Sequence, residues 1–175
     1  MKRSLIRTTL ITTVAVLATA SFAVAQEAKI AVIDVQRVVT ESDPGKEALA
    51  KLKKLQEEKL NQAKAMQQEL DSLQQQFNKQ RFTLSDDKLA ELRKQIEDKG
   101  IALKRFQDDA QRELDDARRK ALTSLEQKIM PIIQQLGKEK GYLLIFQKYQ
   151  SGLVYADDAK TDITDEVIRR FNTTQ

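Results

Sequence analysis

Three pairs of adjacent carboxylates, Asp108-Asp109, Asp115-Asp116 and Asp157-Asp158, and one run of cations, Arg118-Arg119-Lys120, come nearest to chemistry in this 175-residue chain. Paired carboxylates can bind a divalent cation or share acid and base roles, but only where they converge in a cleft. Successive helical residues point about 100° apart, and these pairs lie amid Arg and Lys, so a solvated helix face is the expected setting. The cation run has the charge of a nucleic-acid patch but no interleaved aromatics, and no nucleic-acid partner is expected. Cys and His are both absent. That excludes Cys or His nucleophile–base chemistry, His-ligated haem, the usual zinc centres and disulfides. No G-x-x-x-x-G-K-[ST] phosphate loop occurs. A Ser–Lys dyad would need a buried lysine, which a solvated helix does not supply. The chain is expected not to be an enzyme and to carry no cofactor or metal.

The elements that hold these residues explain why. Charged residues make up 32% and aromatics 5%, a balance that suits long solvated helices better than a compact core. Lys29 to Val35 is a short β-branched run that reads as a buried strand. Asp43 is a candidate N-cap, with Pro44 at the first helical position. From about 44 to 81 nothing breaks a helix, and Ala63, Met66, Leu70, Leu73 and Phe77 recur at spacings of three and four, a heptad seam. Thr83 to Asp87 interrupts it, with Ser85 a second candidate cap.

A second helix is expected from about 86 to 140, its seam running through Leu89, Leu92, Ile96, Lys99, Leu103, Phe106 and Ala110. Beyond Ala110 the apolar steps are mostly of four, which suits a straighter or oppositely wound helix. Two long helices joined by about five polar residues must be antiparallel neighbours, and ~40 residues of helix span about 60 Å. Gly100 interrupts the second helix at a cost of about 1 kcal/mol against Ala; it is either a tolerated surface glycine or a flexible point. Pro131 is expected to bend the helix. Gly141 ends it, Tyr142 to Phe146 reads as a buried strand, and Leu153-Val154-Tyr155 reads as a short return strand. Asp162 caps a final amphipathic helix.

The fold class is thus α+β, a long antiparallel coiled-coil hairpin projecting from a small body that contains β-strands. The body comprises 26–43 and 132–175, and the arm 44–131, with its tip at about 82–87. So small a core without disulfide or metal calls for oligomerisation. Residues 46–140 carry 21 Lys+Arg against 17 Asp+Glu, so the arm is mildly basic.

Residues 1–25 read as a secretory leader. Lys2, Arg3 and Arg7 form a positive start, Leu10 to Ala20 carries no charge, and Ala23-Val24-Ala25 offers small-x-small cleavage before Gln26. The apolar stretch is about half of the ~20 residues a spanning helix needs. Export after cleavage following Ala25 is expected, which also removes access to cytoplasmic ATP.

Five segments carry a family resemblance: Ile30-Ala31-Val32-Ile33-Asp34, Gly45-Lys46, Lys138-Glu139-Lys140-Gly141-Tyr142 with its apolar strand, Leu153-Val154-Tyr155-Ala156-Asp157, and Asp162 to Ile168. With the long helical hairpin between them, the chain resembles the Skp (OmpH) family over essentially all of its mature length. The resemblance implies a periplasmic, ATP-independent chaperone. Three subunits would join through small strands, and three arms would enclose a cavity for unfolded outer-membrane β-barrel proteins. It also implies a link to lipopolysaccharide or an anionic membrane surface. In such a holder, Lys79, Arg81, Lys88, Arg93 and Lys94 are the candidates for electrostatic client capture, and Phe77, Phe82 and Leu84 for apolar contact. A structural coiled-coil protein that spaces or tethers one folded envelope partner is the alternative reading.

Overall fold

The structure is a computed structural model that describes residues 28–174. The leader and its cleavage site lie outside the described residues. The elements in chain order are β1 (Lys29–Ile33), α1 (Val35–Glu41), α2 (Asp43–Gln80), α3 (Asp86–Lys140), β2 (Tyr142–Gln147), α4 (Asp158–Thr161) and α5 (Thr164–Thr173).

β1 and β2 lie side by side and parallel, with Ile30 opposite Leu144, Ala31 opposite Ile145 and Val32 opposite Phe146. Parallel neighbours cannot be joined by a tight turn and need a crossover. Here the crossover is α1 and the whole helical hairpin. The other edge of β1 meets a single bridge, Val32 to Asp162, where Ile163 N donates to Val32 O at 3.0 Å.

The strand is shorter than the apolar run. Asp34 turns the chain into α1, its carboxylate accepting from Arg37 N at 3.1 Å while its own N–H donates to Thr164 Oγ1 at 2.9 Å. A side-chain cap of this kind outweighs the β preference of Val35, Val38 and Val39. Ser42, fully buried, caps α2 by accepting from Gly45 N at 3.2 Å. The cap is therefore Ser42 and not Asp43, which falls in the first turn, where its charge faces the helix dipole. Gly45 is needed at the junction of α1 and α2. A Cβ there would stand 1.9 Å from Val39 O, a carbonyl that cannot yield.

The core lies at the root of the arm. Ala31 and Ile33 of β1 and Val38 of α1 pack with Leu125, Ile129, Ile132 and Leu136 of α3 and with Ile163, Val167 and Phe171 around α5. Each of the Val, Leu, Ile and Phe side chains among them contributes about 1.5–3 kcal/mol when buried. α5 is also clipped at its polar edges: Arg170 to Glu139 at 2.6 Å, Arg37 to Asp165 at 2.8 Å, and Asp43 N donating to Asn172 Oδ1 at 2.8 Å. The Arg170 guanidinium holds the Glu139 carboxyl below its usual range.

α3 continues through Pro131 and ends at Gly141, whose φ of 71° closes the helix with a bond to Gly137 O. Three expectations for the tail change. Residues 153–155 form no strand: they have no partner within one chain, and Val154 is 99% and Tyr155 81% exposed. β2 is a strand but not a buried one, since Leu143 and Leu144 are 69% and 49% exposed. The cap of α5 is Ile163, with the Asp162 carboxylate accepting from Thr164 N at 2.8 Å one position earlier.

Candidate functional site

α2 and α3 form the arm, 38 and 55 residues of uninterrupted helix, about 57 and 82 Å long. They turn at 81–85, where Thr83 N and Leu84 N donate to Gln80 O, and Asp86 and Asp87 open α3. The seam is narrow. Leu52, Leu55, Lys59, Ala63, Met66 and Leu70 are half-buried along α2, and Leu92, Leu103 and Ala110 are buried along α3, while the outer faces stay in solvent.

Two ion pairs cross the arm and mark its register: Lys59 to Glu113 at 2.6 Å and Lys99 to Glu69 at 2.5 Å. Lys59 occupies a seam position, its stem half-buried and its ammonium 6.0 Å from the Phe106 ring centre. Sequence reasoning missed it, although it lies four residues before Ala63 and continues the heptad. Lys99, expected on the seam, is exposed; Gly100 takes that place. A glycine has no side chain to register in a hydrophobic pattern, which is why the substitution was hidden.

All eight candidate residues lie at or near the tip. Phe77 is half-buried, and Arg93 reaches across from α3 to place its guanidinium 5.3 Å from the ring centre. Phe82 is 83% exposed, with Arg81 stacked on it at 4.5 Å. Leu84 is half-buried under the turn. Lys88 pairs with Glu91 at 3.0 Å, which weakens its claim as a free cation. Lys79, Arg81, Arg93 and Lys94 form no ion pair among the described residues. The tip therefore offers cations laid over aromatic faces, an arrangement that attracts carboxylates and apolar groups together.

The paired carboxylates on α3 do not converge in a cleft. Asp109 pairs with Arg112 and Asp116 with Arg119 on exposed faces, and no group of three acidic residues is placed to hold a metal ion. A hollow of about 1010 Å³ at the arm root is lined by Leu52, Leu125, Ile132 and Phe171 together with Lys51 and Lys128. No described helix is long and apolar enough to cross a membrane.

Residues 29–171 match the family model described as outer membrane protein, OmpH-like. A solved structure from Caulobacter crescentus CB15, described as a candidate outer membrane chaperone of the OmpH-like kind, is similar at a TM-score of 0.76 and 22% identity. The match covers 83% of this chain and 85% of that one. At that identity the likeness speaks for the fold. No curated protein matches the chain.

Proposed function

This chain belongs to the family of OmpH-like outer membrane proteins, and from that premise we propose that it is an ATP-independent holding chaperone of the periplasm, exported by cleavage after Ala25. Its clients are unfolded outer-membrane β-barrel proteins, which expose alternating apolar residues and unpaired strands and aggregate through them. Holding needs no bond chemistry, so the protein is no enzyme in this reading. The carrying observation is the arm itself: two helices that satisfy each other along one seam, far out from the core, ending in exposed cations and aromatics. A tether for one folded partner would need a shaped, preformed surface instead.

The division into an oligomerising body (26–43 and 132–175) and an arm (44–131) belongs to the same proposal, as does assembly into a trimer whose arms enclose the client. What supports assembly is the edge of β2 left unpaired among the described residues, together with large exposed apolar side chains: Ile30 of β1, Leu143 and Leu144 of β2, and Val154 and Tyr155 beyond it. Exposed apolar side chains and an open strand edge are unstable in water unless covered. Light scattering of the mature protein at micromolar concentration is expected to give three subunits. A stable folded monomer there would remove the enclosed cavity. The test of holding is suppression of aggregation: several different unfolded barrel proteins should stay soluble at stoichiometric chaperone. Saturable binding to one folded partner alone would favour the tether. An anionic membrane or lipopolysaccharide surface remains a further proposed partner of the basic arms.

Capture should begin electrostatically. Arm charges gathered around one cavity act together within a Debye length of about 8–10 Å. Charge reversal of Lys79, Arg81, Lys88, Arg93 and Lys94 to Glu is therefore expected to slow association with acidic clients about tenfold or more at low salt, with a smaller change in dissociation. Stopped-flow mixing at two ionic strengths, with circular dichroism of the variant, reads both. Association indifferent to salt and to the reversal would mean that capture is apolar only.

A further inference from the structure

Of the four glycines in or next to the long helices, two have visible reasons, a Cβ on a third, Gly137, would stand 3.4 Å from Ile145 Cδ1, and the fourth has no such reason. Gly45 is crowded by Val39 O, and Gly141 has a positive φ. Gly100 has neither constraint: its φ is not positive, and a Cβ built there meets no heavy atom within 4 Å. Alanine would fit and would make the better helix.

Its position gives the glycine meaning. Gly100 falls on the seam between Ile96 and Leu103, so α3 passes this level without a seam side chain, while α2 keeps Met66, Leu70 and Leu73 in line. Beside the gap lies an open groove of about 930 Å³, walled by Met66 and Leu73 of α2 and by Gln95 and Ala102 of α3. The tie between the helices here is the half-exposed Lys99–Glu69 pair. A solvent-facing pair is weak and holds separation better than angle. α2 has no glycine or proline between Gly45 and its end at Gln80, so it acts as a continuous strut.

From this coincidence of a missing side chain, an open groove and a polar tie we infer that the arm bends at Gly100. The distal hairpin, from about 71 to 99, swings as one unit against the proximal arm. α2 limits the swing elastically, and the Lys99–Glu69 pair opens and closes with it. The motion is a property of the protein alone, whatever it binds.

The chain has no cysteine, so two nitroxide labels can be placed cleanly. Glu91→Cys and Arg112→Cys put them on the exposed surface of α3, about 32 Å apart by helix rise, on either side of Gly100. A bend of about 20° changes that separation by about 4 Å for labels about 10 Å off the bending axis. Measured in the assembled protein diluted with unlabelled subunits, the distance distribution is expected to be broad, and Gly100→Ala is expected to narrow it to the width of a label pair on the proximal helix. Amide exchange at 101–104 should slow about fivefold with it, equivalent to ~1 kcal/mol. A control separates bending at the seam gap from mere loss of helix propensity. Gln107→Gly, added to Gly100→Ala, weakens the helix equally but leaves Phe106 and Ala110 packed, and should leave the distribution narrow. A wild-type distribution as narrow as the proximal pair, no response to Gly100→Ala, or broadening restored by Gln107→Gly would each overturn the inference.

Discussion

Joining Asn61 directly to Asp109 through a short glycine–serine turn is expected to yield a protein that still folds and keeps the proposed assembly but loses the proposed holding of unfolded barrel proteins. The cut follows the register marked by the Lys59–Glu113 and Lys99–Glu69 pairs, so the shortened helices still meet in phase and keep the first of them. The main buried cluster lies on the body side of the cut, in β1, α1, α3 from Leu125 onward, Ile163 and α5, while the cut removes only Leu92 and Leu103 from the buried seam. What is removed is a narrow seam and solvated faces, which contribute little to the core's cooperativity. The thermal midpoint should therefore move by only a few degrees, and the oligomer mass should fall only by the excised residues. Aggregation suppression at equal molar ratio should fall from near complete to the level of buffer. A truncated protein that still held its clients would place the binding surface in the body and end the arm reading.

The second large effect is expected at a glycine. Gly45→Ala sets a methyl carbon 1.9 Å from Val39 O, 2.7 Å from Val39 C and 2.9 Å from Ser42 Oγ. Two of these are backbone atoms in the turn between α1 and α2, so relief requires the two helices to part. Parting them strips the Ser42 cap, worth about 1 kcal/mol, and lifts Val38 from the core. Overpacking of this kind costs about 3 kcal/mol, a large share of the total stability of a small domain. Urea unfolding at fixed subunit concentration is the measurement, because the proposed assembly would make apparent stability concentration-dependent. Gly100→Ala is the internal comparison and should stabilise slightly, since its methyl meets nothing. Equal midpoints for the wild type and Gly45→Ala would mean that α1 and α2 do not approach as closely as described.

The hairpin was legible in the sequence because its evidence is redundant: dozens of helix formers, no internal breaker in α2, and a seam repeated over many turns. The limits of α3, Asp86 and Lys140, could be read from two acidic residues at one end and Gly141 at the other. α1 was hidden because Val35, Val38, Val39 and Thr40 favour strands by type. The Asp34 cap and the distant Thr164 hydroxyl override that preference, and a contact 130 residues away leaves no local mark. The 153–155 segment failed in the opposite direction. It has strand composition but finds no partner in its own chain. At the tip, residue types were legible and pairings were not, since placing Arg93 over Phe77 depends on the register in which the two seams meet, which neither helix carries in its own sequence.

The parallel pairing of β1 with β2 bears on the order in which the chain can acquire its structure. The strands are separated by about 110 residues, and closing so long a loop as flexible chain costs about 4 kcal/mol of entropy. Five pairs of residues in a two-stranded ribbon cannot recover that by themselves. If the hairpin zips first from its turn, each step joins residues only slightly farther apart than the last, and the two strand ends arrive together as neighbours. The arm is then the folding path of the body as well as its extension. β1, the first of these elements to be made, waits unpaired until nearly all of the chain behind it has emerged.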